Sequence, residues 1–314
     1  MENILFTVNS VAPVFIIVFT GIALKKFRFV DDNFVRISSK LVFSVSLPAL
    51  IFDELASTNF FAKFQIDMIL FSYAGILVFY CLIWISSTLL TADGRSQGAF
   101  IQGSYRSNFG IVGLALIANM FGESAIDKAA IILAFMMPLY NILAVIALTY
   151  PLKKHEPISS SKMVWNIITN PLILAMIVSL PFSILNIRIP VLFSTTIGYL
   201  ADLAFPLALI GVGASLDFKS LKNDIRLANI ASFIKIVLIP SSLTVIAYQI
   251  GFRGEDIGIL FMLFATPTAI ASYIMADSMG CNRNLASSII MISTLGSILT
   301  LSIGVYVLRH MGIM

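Results

Sequence analysis

Apolar runs of about twenty residues recur ten times along this chain, near 4–24, 36–53, 65–90, 98–120, 126–149, 162–182, 190–214, 227–250, 257–279 and 285–308. No other feature narrows the fold so far, because a helix of roughly 20 apolar residues has the length of the hydrocarbon core of a bilayer. The fold class this predicts is an all-α polytopic membrane protein with ten transmembrane helices. Composition closes the soluble alternative: 59% of the 314 residues are hydrophobic and only 11% are charged, too few to cover a water-facing surface. The second run is the weakest, diluted by Lys40 and Ser44. The first has no basic residues before it and no small-residue cleavage pattern after it, so it reads as a retained span and not a signal peptide.

The connections between runs are short, the longest being the polar stretch Pro151–Ser161. Of the 20 Lys and Arg residues, 13 fall in one set of alternate loops and 5 in the other, and Arg106 and Lys235 fall inside spans. The basic loops belong in the cytoplasm, so both termini are expected outside the cell membrane. The net charge of +4 is a property of those loops and implies no nucleic-acid partner. The two cysteines, Cys81 and Cys281, suggest neither a disulfide framework nor a zinc site.

The chain also repeats itself. At an offset of 158, Pro13 falls on Pro171, Pro48 on Pro206 and Gly122 on Gly280, and "SLPALIF" (Ser46–Phe52) lies over "AFPLALI" (Ala204–Ile210). Residues 1–149 and 162–314 would then be two five-helix repeats joined by a cytoplasmic linker, 150–161. Five is odd, so the second copy enters the membrane inverted. Inverted repeats are a hallmark of secondary transporters, whose site lies near the midplane at the repeat interface.

Two spans are interrupted at matched depth. Span four carries "YRSNFGIVG" (Tyr105–Gly113) and span nine carries "ATPT" (Ala265–Thr268). Pro267 removes a donor and obstructs the preceding turn. Gly110 and Gly113 loosen the other copy. Ser107, Asn108, Thr266 and Thr268 can bond the backbone groups that a broken helix frees. Such breaks persist in a membrane where they are packed in protein or line a cavity, and a matched pair points to a transport site. The blander alternative is a pair of kinked helices with Asn108 and Thr266 as interhelical glue.

Arg106 is always charged and can hold a carboxylate through two parallel hydrogen bonds. It lies eleven residues past Arg95, about 16 Å at helical rise, too deep for easy snorkelling. An anion site at this break is the expectation, the rival being that Arg106 neutralises Asp202 or caps carbonyls. Phe109 and Gly110 complete that half, and Thr266, Pro267 and Thr268 the other. Asn141, after Pro138, can bond a ligand or another helix. Ser272 and Tyr273 follow the second break and are weaker candidates. Asp202, in the middle of span seven, is a candidate proton or cation carrier if buried, or else one half of a structural pair. Lys235 is a second coupling candidate, although nine residues past Arg226 it could snorkel to the cytoplasmic interface. Asp67 reads as interfacial.

"QGSYRSNFGIVGLAL" (Gln102–Leu116), "MPLYNILAV" (Met137–Val145), "FPLALIGVGASL" (Phe205–Leu216) and "ATPTAIASYIMA" (Ala265–Ala276) together resemble the auxin efflux carrier family. The likeness is to its bacterial branch of malonate and malate permeases, relatives of the plant PIN auxin exporters. It implies crossed, broken helices four and nine, a scaffold of spans one, two, six and seven, and a moving core of spans three to five and eight to ten. The chain departs from the plant pattern at Asn108-Phe109, where the plant members carry Asn-Pro, and it lacks their long cytoplasmic loop.

No catalytic motif appears. His155 and His310 lie in or beside interfacial segments, and the spans hold no HExxH, GxSxG or paired aspartates. No phosphate loop ending in Lys-Ser/Thr is present, which speaks against ATP-driven pumping. The expectation is a secondary carrier of small organic anions, such as dicarboxylates or auxin-like carboxylates, working by elevator-type alternating access. Its partners would be that anion, the bilayer and a coupling proton or sodium ion, with a homodimer through the scaffold and no cofactor. A channel or a small-acid sensor on the same fold is the alternative.

Overall fold

The computed structural model describes residues 2–57, 64–152, 169, 171–185, 187, 189–216 and 225–314. The described residues form helices and no sheet; a single isolated bridge joins Ser107 to Thr268. Helix α1 runs Glu2–Lys26. Helix α2 (Asp32–Leu41) passes through a π-helical turn, Val42–Ser46, into α3 (Leu47–Ser57). Then follow α4 (Ile66–Leu90), α5 (Gly94–Tyr105), a π turn at Phe109–Gly113, α6 (Leu114–Phe121) and α7 (Glu123–Thr149). After Tyr150–Leu152 the described helices are α8 (Pro171–Leu185), α9 (Val191–Asp202), α10 (Ala204–Ser215) and α11 (Ile225–Phe233). A π turn at Ile234–Leu238 leads into α12 (Ile239–Ile250), followed by α13 (Gly254–Ala265), α14 (Ala271–Ser278) and α15 (Arg283–His310).

Among the described residues seven helical segments are long and apolar enough to span a bilayer: Leu5–Lys26, Asp32–Asp53, Ile66–Leu90, Ala125–Leu152, Val191–Ser215, Ile225–Ile250 and Arg283–His310. This is three fewer than the sequence predicts, and each shortfall has a location. Spans four and nine are cut at 106–108 and 266–270, so neither is one continuous helix. The first part of span six, with the linker before it, lies outside the described residues, and only its later part appears, as α8.

Local chemistry places the ends. Asp31 caps α2 by accepting from the Phe34 amide at 2.8 Å, and Asp93 caps α5 through the amides of Arg95 and Ser96. Asn282 caps α15 through Leu285 N. Gly122 and Gly280, paired by the 158-residue offset, take φ of 78° and 72° in the turns that enter α7 and precede α15. Left-handed backbone of this kind favours glycine.

Helices α1, α2, α3, α8, α9 and α10 pack on one another, and α4–α7 pack with α11–α15. The groups meet where α1 touches α6 and α15, where α3 and α8 touch α7, and where α10 touches the π turn at Phe109–Gly113. Within the first group α1 and α10 approach backbone to backbone at Gly21 and Gly213, where added methyl groups would overlap the carbonyls of Ile210 and Val18. Outward-facing Leu5, Ile16, Leu82, Val191, Phe193 and Leu299 are exposed, as lipid-facing positions are.

Candidate functional site

The two helix breaks meet in the middle of the second group. Beyond Tyr105 the α5 backbone becomes extended at Arg106, and beyond Ala265 the α13 backbone does the same at Thr266. The extended pieces run antiparallel. Asn108 N donates to Pro267 O at 2.8 Å and Ala269 N donates to Arg106 O at 3.2 Å. Side chains complete the joint: the hydroxyls of Ser107 and Thr266 are 2.5 Å apart, and Thr268 Oγ1 donates to Gly103 O at 2.7 Å. Thr268 N donates to Ser293 Oγ of α15 at 3.1 Å. Each break therefore satisfies much of the other's freed backbone, which is what burial in a membrane protein requires.

Arg106 is 5% exposed. One Nη donates to Asn141 Oδ1 of α7 at 2.9 Å, and the other reaches Met275 Sδ of α14 at 2.8 Å. A thioether is a weak acceptor. The ion pairs among the described residues are Lys25–Asp32, Lys128 with Glu255 and Asp256, and Arg283–Asp277; none involves Arg106. Around the guanidinium stand Tyr105, whose hydroxyl donates to Tyr140 O at 3.2 Å, and Tyr140, whose own hydroxyl lies beside Ser107 without an aligned hydrogen bond. Gln102, one turn before Arg106, donates to Met275 Sδ, while its Oε1 is buried without a partner among the described residues.

The expected residues fall into three groups. Arg106, Ser107, Asn108, Phe109, Thr266, Pro267 and Thr268 are buried together at the joint, with Asn141 reaching in from α7 and Gly110 at its edge. The Asn108 side chain makes no hydrogen bond among the described residues. Ser272 is buried, its hydroxyl without a partner among the described residues, while Tyr273 points outward. Asp202 stands away from the joint, whereas Lys235 reaches the second break from the π turn after α11. Asp202 is exposed at the end of α9, a helix packed on α3 and α10, and does not pair with Arg106. Lys235 does not snorkel: it is 0% exposed, and its ammonium donates to Phe264 O at 2.5 Å. Asp67 is exposed at the start of α4, as an interfacial residue should be. Gln102, Tyr140, Met275 and Ser293 escaped sequence reading. Only Gln102 left a signal there, a polar residue one helical turn from Arg106.

A joint with one buried cation, a neighbouring amide and short hydroxyls can hold an anion. Among the described residues no group of three or more His, Cys, Asp or Glu could hold a metal ion. The protein family described as membrane transport protein matches residues 6–305. A protein of Methanothermobacter thermautotrophicus named "Uncharacterized transporter" is 22% identical over 93% of this chain and 95% of its own length. One of Rhizobium meliloti named "Putative malonate transporter" is 27% identical over 84% of each. One of Shigella flexneri named "Uncharacterized transporter YfdV" is 20% identical over 97% of this chain and 98% of its own length.

Proposed function

The chain belongs to the membrane transport protein family, in keeping with its resemblance to auxin efflux carriers, and on that premise we propose that it is a secondary carrier of small organic anions. The observation that carries this proposal is Arg106, a buried guanidinium at the joint of two broken helices with no acidic partner among the described residues. An unpaired arginine at that depth costs about 2.5–3.5 kcal/mol on insertion scales. A carboxylate would offset that cost through paired, charge-assisted hydrogen bonds. Asn108 would supply a further contact through its free amide, and Asn141 orients the guanidinium. Malonate, which the Rhizobium meliloti relative carries in its name, is of the class that such a site fits.

The proposed mechanism is alternating access. Helices α4–α7 and α11–α15 would move as a core against α1–α3 and α8–α10, with ten spans in two inverted repeats and both termini outside. Three features support this picture: the separate packing of the two helix groups, the matched breaks, and the backbone contact at Gly21 and Gly213 that stiffens the proposed scaffold. The test is thermal unfolding of the purified protein with small mono- and dicarboxylates and indole acids, with and without sodium. At least one carboxylate should raise the midpoint saturably, whereas its amide analogue should not. Equal effects of acids and their amides would refute an anion site.

A further inference from the structure

Lys235 is fully buried in the π turn between α11 and α12, and its ammonium bonds the Phe264 carbonyl. That carbonyl belongs to the last turn of α13, at the break. In an unbroken helix it would accept from Thr268 N, but that amide donates to Ser293 Oγ instead. Pro267 has no N–H to give the Leu263 carbonyl, and Ala269 N is taken by Arg106 O. Freed carbonyls therefore gather at the negative end of the α13 dipole. In transporters with broken helices such C-terminal ends and unwound carbonyls are where a coupling cation is held. Here a side-chain cation is already there. No ion pair among the described residues includes Lys235.

We propose that the Lys235 ammonium is the resident cation of the second break. It holds the C-terminal end of α13 in its broken form and fills the place that sodium would otherwise take there, so the cycle runs without a bound alkali cation at this end. Coupling in this sense presupposes the carrier function. The test contains no substrate, so its failure and the failure of anion binding at Arg106 are told apart.

The experiment compares purified full-length wild type and Lys235→Met by thermal unfolding in sodium chloride and in choline chloride at equal ionic strength. Wild type should show the same midpoint in both salts across a sodium titration. Lys235→Met should be less stable in choline, and sodium should restore it saturably, by about 3 °C or more, as binding to the folded state does. A saturable rise of the wild-type midpoint with sodium would overturn the proposal. So would a Lys235→Met loss that is equal in both salts, since the lysine would then be a simple cap. If Lys235→Met does not fold, Lys235→Gln takes its place with the same two outcomes, and a saturable wild-type rise with sodium defeats the proposal in either case.

Discussion

Arg106 and Lys235 illustrate how the same physical problem, a cation deep in a membrane protein, is solved in two ways. Lys235 is a compact ammonium and is satisfied by backbone, the Phe264 carbonyl. Arg106 presents a planar fork with five donors, and its partners are one amide oxygen and one sulfur. The residue with donors to spare is the one suited to a ligand. Arg106→Lys should therefore fold normally but bind the carboxylate roughly tenfold or more weakly, because an ammonium cannot reproduce the paired geometry. Asn108→Ala should also lower affinity, by several-fold, for loss of one hydrogen bond. Isothermal titration measures both. Wild-type affinity in both variants would make the polar stretch structural. The burial of Arg106 at a helix break was legible in the sequence, because an arginine inside an apolar run beside Ser, Asn and Gly has few explanations. The setting of Asp202 was not. Whether a carboxylate in the middle of an apolar helix faces the interior depends on the rotational phase of that helix, and the residues flanking Asp202 are apolar on every side.

The breaks could be read at the level of elements because Pro267 and the glycines near 110 mark them chemically. Their mutual pairing could not, since Asn108 N to Pro267 O joins residues that only the fold brings together. The π turns left little mark either, apart from Pro48 and Pro240, each two residues past the first and the third of them. Contact between α1 and α10 was equally hidden, because it rests on glycines at Gly21 and Gly213 that resemble any others in an apolar run. It carries a sharp prediction. A methyl group at Gly213 would overlap the Val18 backbone carbonyl, whereas one at Gly211 would meet Ser38 Oγ at an ordinary 3.5 Å. Gly213→Ala should lower the thermal midpoint by the equivalent of about 1–3 kcal/mol, as overpacking does. Gly211→Ala should leave it nearly unchanged. Equal midpoints for the two variants would show that α1 and α10 do not meet this closely.

For the molecule as a whole, its membrane nature follows from hydrophobic length alone, and the seven long apolar segments carry it. The helices separate into two packed groups, and the buried joint lies inside one of them. A joint held within one helix group suits the proposed carrier, in which that group would take the ligand across with it, better than a channel, which leaves its walls in place. Counterflow discriminates between these most directly. Proteoliposomes preloaded with an unlabelled carboxylate that binds the purified protein are diluted into trace labelled anion. Wild type should show a transient overshoot of label, and Arg106→Lys should slow it at least tenfold. Equal exchange by Arg106→Lys, or label that equilibrates without overshoot, would contradict a carrier that holds its anion at Arg106.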